Sequence, residues 1–276
     1  MISGTHLLYV RMSGVTTMTA LENLVKGANK VSPREAWFYR IGCAAAVVAL
    51  VIFRRWLSSE FLLFRAIGII RYGPKAPPNS ATGWFTLLHV HPVLGFTLLN
   101  GFDMMTFVLA GVVYLALYIA LRRTDRKFLI LALALSFAGI VLYIASNPAL
   151  PMLMLNSRYA AATTDAQRSM ILAASEQLTA SKSPFAIGQN LAFVFFNTGG
   201  LILSAAMMRS GLFSTRTAWL GILFNTLALG FPLGVALAPG NQIIPGVAWV
   251  IAVFFWVFWY IGIARAFWRL ARDSRA

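Results

Sequence analysis

Few residues of this chain carry chemistry into an apolar environment, and their spacing decides between a reactive role and an architectural one. Asp103 is the ionisable side chain set within the apolar run Phe102 to Leu121. A carboxylate inside a bilayer is costly and commonly marks a proton or cation site. If Asn100 caps that helix, however, Asp103 falls in its first turn, where free amides and the helix dipole favour a carboxylate. The structural role is the preferred one. His89 and His91 in the run HVHP are the start of a metal pair. Two residues apart, they point to different faces of a helix, and no further Cys, His or acid lies near to complete the three or four ligands of a tetrahedral site. No metal ligand and no cofactor are therefore expected. The chain also lacks a phosphate-binding glycine loop, paired intramembrane carboxylates, HExxH and GxSxG, so no catalytic residue is assigned and the reading leans against an enzyme.

A second pattern is neutral. Asn190, Asn197 and Ser204 recur every seven residues with Gly200 beside them, Ser136, Gly139, Tyr143 and Asn147 follow helical spacing, and so do Gly221 and Asn225. Small and amide side chains aligned in this way let helix backbones approach and hydrogen-bond across an interface, and packing is the preferred reading. The sharper alternative is a polar cavity for a small molecule, lined by Tyr143, Asn147, Asn190, Asn197, Ser204 and Asn225 between the third, fourth and fifth spans.

The elements that must hold these residues follow from composition. With 59% hydrophobic residues, 11% charged residues and a mean hydropathy of +0.74, the chain lies far from the roughly 25% charged residues of a soluble domain. A span needs ~20 apolar residues, and windows of that kind fall at 36–56, 102–121, 128–146, 190–208, 218–238 and 243–264. The expected fold is an all-α integral membrane protein, a six-helix transmembrane bundle with interfacial amphipathic helices. Residues 1–35 form a polar lead, in which Met12 and Met18 are alternative starts, and 57–100 an interfacial connection, in which Phe61 to Gly73 is a short helix interrupted by Arg65 and Arg71. Residues 101–272 form a five-helix membrane domain. Pro232 is expected to kink the fifth span, and Pro239 to Asn241 to turn the chain into the sixth, whose Trp268 and Tyr260 suit a headgroup belt. The single cysteine, Cys43, excludes an intramolecular disulfide and reads as a small buried hydrophobe.

The net charge of +15 is no sign of nucleic acid, since the cations cluster at the ends of apolar windows. Lys26, Lys30, Arg34, Arg40, the group Arg122 to Lys127, Arg209, Arg216 and the tail from Arg265 to Arg275 share the terminal side. The positive-inside rule therefore puts both termini in the cytoplasm, although Arg54, Arg55, Arg65, Arg71 and Lys75 stand on the opposite side. Between the third and fourth spans lies Asn147 to Leu178. Asn147-Pro148 and Pro151 stop the preceding helix near Ser146, and Thr164 to Gln167 spells a capping box for a surface helix over 164–180. Its apolar positions Ala166, Met170, Ala173, Ala174 and Leu178 define the face expected to lie against its support.

Three runs, Asn100 to Arg123, Gly139 to Ala174 and Leu201 to Leu223, resemble the bacterial and archaeal membrane proteins grouped as domain of unknown function 4386. The block from Ser146-Asn147-Pro148 to Tyr159-Ala160-Ala161-Ala162-Thr163-Thr164-Asp165-Ala166-Gln167-Arg168 is the most specific part, and the resemblance runs from Pro77 to Arg272. It implies a multi-span protein of a prokaryotic cytoplasmic membrane without an established activity, and it transfers no catalytic residue. The expected partners are the lipid bilayer and a membrane-protein partner or a second copy of the chain. An accessory or scaffold subunit is the leading function; a small-molecule or lipid binder or transporter is the rival.

Overall fold

The computed structural model describes residues 32–57, 78–180, 187–237 and 243–273. Described residues form ten helices: α1 (Pro33–Leu57), α2 (Ala81–Val90), α3 (Pro92–Leu98), α4 (Gly101–Leu121), α5 (Arg126–Ser146), α6 (Ala149–Ala161), α7 (Asp165–Ala180), α8 (Ile187–Ser210), α9 (Thr215–Leu237) and α10 (Ile243–Asp273). Six of the helical segments are long and apolar enough to cross a membrane, and they begin or end close to the windows read from composition. The protein is thus an all-α membrane bundle. Residues 1–31 of the polar lead, the helix over Phe61 to Gly73 and the turn at Pro239 to Asn241 lie outside the described residues, and α1 begins at Pro33.

The spans close into a ring. In chain order α1 packs on α4, α4 on α5, α5 on α8, α8 on α9, α9 on α10, and α10 returns to α1. The short connections from α4 to α5, α8 to α9 and α9 to α10 make those sequential neighbours the natural outcome. Across the interior α4 also touches α8. Tyr114, Leu117, Leu203, Trp259 and Tyr260 fill the centre. The outward faces keep Val51, Val108, Phe128, Val141 and Phe254 exposed, the arrangement a lipid solvent requires.

The end of the bundle where α1 begins and α4 stops is tied by a feature that was not read from sequence. Ser32 and Glu35 form a capping box on α1, with the Ser32 amide donating to Glu35 Oε2 at 2.9 Å and the Glu35 amide to Ser32 Oγ at 3.3 Å. The other carboxylate oxygen accepts from Arg122 at the end of α4 at 2.7 Å, with Arg123 at 4.0 Å. One carboxylate therefore starts the first span and fixes its register against the second.

At the opposite end α2, α3, α6 and α7 build a cap around Trp84, Phe85, Leu88, Leu99, Tyr143 and Met152. Here the sequence reading is met once and changed three times. First, α5 ends at Ser146 as expected, and a helix that was not read from the sequence, α6, follows from Ala149. Pro148 occupies the cap position and Pro151 the first turn, where no amide is needed, and the Asn147 side chain accepts from the Ala149 amide at 2.9 Å. Second, α7 does lie on a support, but through Ile171, Leu172, Ser175 and Leu178, while Ala166, Met170, Ala173 and Ala174 are exposed. Ser175 tolerates burial because its hydroxyl bonds back to the Ile171 carbonyl at 2.8 Å, a satisfaction that hydrophobicity patterns do not count.

Third, the box at the start of α7 is offset: Thr164 Oγ1 accepts from the Gln167 amide at 3.2 Å, but Gln167 Oε1 takes the Thr163 amide at 3.2 Å, not that of Thr164. Fourth, Asn100 does not cap α4 with its side chain; it adopts a left-handed conformation with φ 61°. That backbone reverses the chain between α3 and α4, and Asn is among the few residues to tolerate it. Helix α9 continues through Pro232.

Candidate functional site

Four asparagines and serines of the spans turn a donor back onto their own helix. Asn197 Nδ2 donates to the Phe193 carbonyl at 2.8 Å, Asn225 Nδ2 to that of Gly221 at 2.7 Å, Ser204 Oγ to that of Gly200 at 2.8 Å and Ser136 Oγ to that of Ala132 at 2.8 Å. A donor turned back four residues costs the helix little. The amide oxygens are then left pointing outward from the helix, and Asn197 Oδ1 and Asn225 Oδ1 are buried without a partner among the described residues.

Glycines bring these groups to the ring centre. A Cβ on Gly200 would collide with Asn225 Oδ1 and stand 2.6 Å from the Tyr114 hydroxyl. One on Gly221 would collide with Ser204 Oγ and stand 2.5 Å from the Trp259 indole nitrogen. Tyr114, Gly200, Ser204, Gly221, Asn225 and Trp259 thus meet near the middle of their helices. They come from the second, fourth, fifth and sixth spans. Tyr114 and Trp259 add a hydroxyl and an indole N–H, each buried without a partner among the described residues, and Tyr260 is buried beside them. Trp259 stands edge-on to both tyrosines, with ring centres 6.1 and 5.6 Å away.

Of the six cavity candidates, the structure brings Ser204 and Asn225 to this centre, while Asn197 is buried on α8 about one turn before Gly200. Tyr143 and Asn147 sit at the capped end of the bundle. Tyr143 is stacked on Phe107 at 4.0 Å, its hydroxyl 3.4 Å from the Asp103 carboxylate, and Asn147 Nδ2 donates to the Asn100 carbonyl at 3.2 Å. Asn190 lies in the first turn of α8, half-buried. Asp103 stands in the first turn of α4 at the ring's edge. His89 and His91 are exposed, and among the described residues no three His, Cys, Asp or Glu gather as a metal would require. The third span contributes contact instead: a Cβ on Gly139 would stand 2.7 Å from both the Ala192 carbonyl and the Phe196 amide of α8.

Sequence reasoning missed Tyr114, Trp259 and Tyr260. Tyr260, read as a headgroup residue, is wholly buried, whereas Trp268 is 65% exposed as expected. Helix α10 packs on α9 and α1 at once, so the inward arc is too wide for a stripe to reveal. The spacing of Gly200 and Gly221 was the available signal. No family model, no curated protein and no solved structure matches the chain.

Proposed function

We propose that the chain is a non-catalytic integral membrane protein of a prokaryotic cytoplasmic membrane, both termini inside, acting as an accessory or scaffold subunit of a membrane assembly. Support comes from the cap. It has its own apolar core, yet its outer faces keep Val90, Val93, Met154 and Met170 exposed, at 59, 68, 59 and 74%. Exposed apolar side chains on the cap helices suit contact with another protein or with the lipid surface. The rival reading, a molecule-sized cavity between the third, fourth and fifth spans, is opposed by the backbone contact at Gly139, which leaves no gap there between α5 and α8.

Extraction into lipid nanodiscs without prior detergent, followed by mass measurement of the intact complex, tests the proposal. A second polypeptide at fixed stoichiometry, or a second copy of the chain, is expected, and Val93→Asp with Met170→Asp should release it. A monomer carrying lipid alone contradicts the accessory role.

A further inference from the structure

We infer that the ring centre holds a site for a small uncharged guest that both donates and accepts hydrogen bonds, of the size of water, bound between Tyr114, Asn225 and Trp259. Three polar atoms at this centre lack a partner among the described residues: the hydroxyl of Tyr114, the indole nitrogen of Trp259 and the amide oxygen of Asn225, and the buried amide oxygen of Asn197 lies further along α8. Unpartnered polar atoms cost most where no water reaches them, and a cluster of them calls for a common explanation. The guest's chemistry follows from the host atoms. Phenol and indole groups offer donors, the amide offers an acceptor, and a single molecule serving both must be amphoteric.

Its charge follows from what is distant. The ionisable groups Glu35, Arg122 and Asp103 lie in the end turns of their helices, while Asn225 and Trp259 are central, and an ion without a counter-charge is strongly disfavoured in such surroundings. Its size follows from the glycines. The side chains that meet Gly200 and Gly221 already occupy the space of an added methyl, so the guest fits between side-chain tips and not in a pocket of drug dimensions. A buried water typically makes about three hydrogen bonds to otherwise unsatisfied groups, which matches the set at hand.

Removing one host atom tests this through the sign of the effect. If the Tyr114 hydroxyl binds nothing, Tyr114→Phe relieves a buried unpaired group and leaves the folded-to-unfolded ratio unchanged or higher. If it holds the guest, the ratio falls about fivefold, and the same change in an Asn225→Leu background has no further effect, because the guest is already lost. A density map of the lipid-embedded protein, resolved well enough to show ordered water, then separates a guest from a direct contact. A peak about 2.7–3.2 Å from both the Tyr114 hydroxyl and Asn225 Oδ1 is the expected result. An unchanged or higher ratio for Tyr114→Phe overturns the inference, as does a direct hydrogen bond between Tyr114 and Asn225 with no peak between them.

Discussion

Gly139→Ala is the sharpest perturbation of the ring. The added methyl would stand 2.7 Å from the Ala192 carbonyl oxygen and the Phe196 amide nitrogen. Both are backbone atoms of a neighbouring span, so no rotamer change relieves the contact and α5 and α8 must separate. Overpacking of this kind costs about 1–3 kcal/mol, while alanine in place of glycine within a helix returns about 1 kcal/mol. The balance is a loss of up to about 2 kcal/mol, or a fall in Tm of up to roughly 8 °C at this chain length. Gly230→Ala is the control, since nothing lies within 4 Å of its added methyl. It keeps the propensity gain of about 1 kcal/mol and should raise Tm. Labelling of the single, half-buried Cys43 by a thiol-reactive dye during heating reads both variants. A Tm for Gly139→Ala equal to or above that of Gly230→Ala would refute the close approach of the third and fourth spans.

Three further outcomes are expected. Glu35→Gln removes the charge that joins α1 to Arg122 and should cost about 1–2 kcal/mol; a double-mutant cycle with Arg122→Gln should show coupling, and strict additivity would mean the pair contributes nothing. Thr164→Ala should fray the start of α7 at a cost of about 1 kcal/mol, seen as faster hydrogen exchange from Asp165 to Met170 with the spans unaffected. Reporter fusions after Lys127, Arg216 and Arg275 should read cytoplasmic and fusions within Ser157 to Ala180 external; the reverse pattern would invert the topology.

The span windows were legible because a bilayer imposes one strong demand, a long apolar helix, and each helix had to meet it. Packing was legible where small residues recur, as at Gly139, Gly200 and Gly221. The inward turn of Tyr114, Trp259 and Tyr260 was not. In lipid the outward face is as apolar as the inward one, so the contrast that marks a buried stripe in water disappears. In the cap the reading failed for a different reason. Asn147 and Ser175 meet their hydrogen-bonding needs locally, through the Ala149 amide and the Ile171 carbonyl. Such local bonds start a new helix directly after a helix stop and let a polar residue be buried. Glu35 shows the same limit: its capping box could be read from Ser32 to Glu35, but its pairing with Arg122 depends on how the first span packs against the second, which no local pattern encodes.

Closure of the ring is the claim on which the polar centre depends, and it rests on the first span meeting the sixth. Cys43 Sγ lies 3.4 Å from the Ala264 carbonyl. The most direct measurement adds Ala264→Cys, oxidises the protein in its membrane, and then cuts the chain at a protease site introduced between Lys182 and Pro184. The two halves should stay joined until a reductant is added, whereas Phe254→Cys, on the exposed face of α10, should give halves that separate. Halves that separate in the Cys43 and Ala264→Cys protein, or that stay joined equally well through Phe254→Cys, would contradict the closed ring.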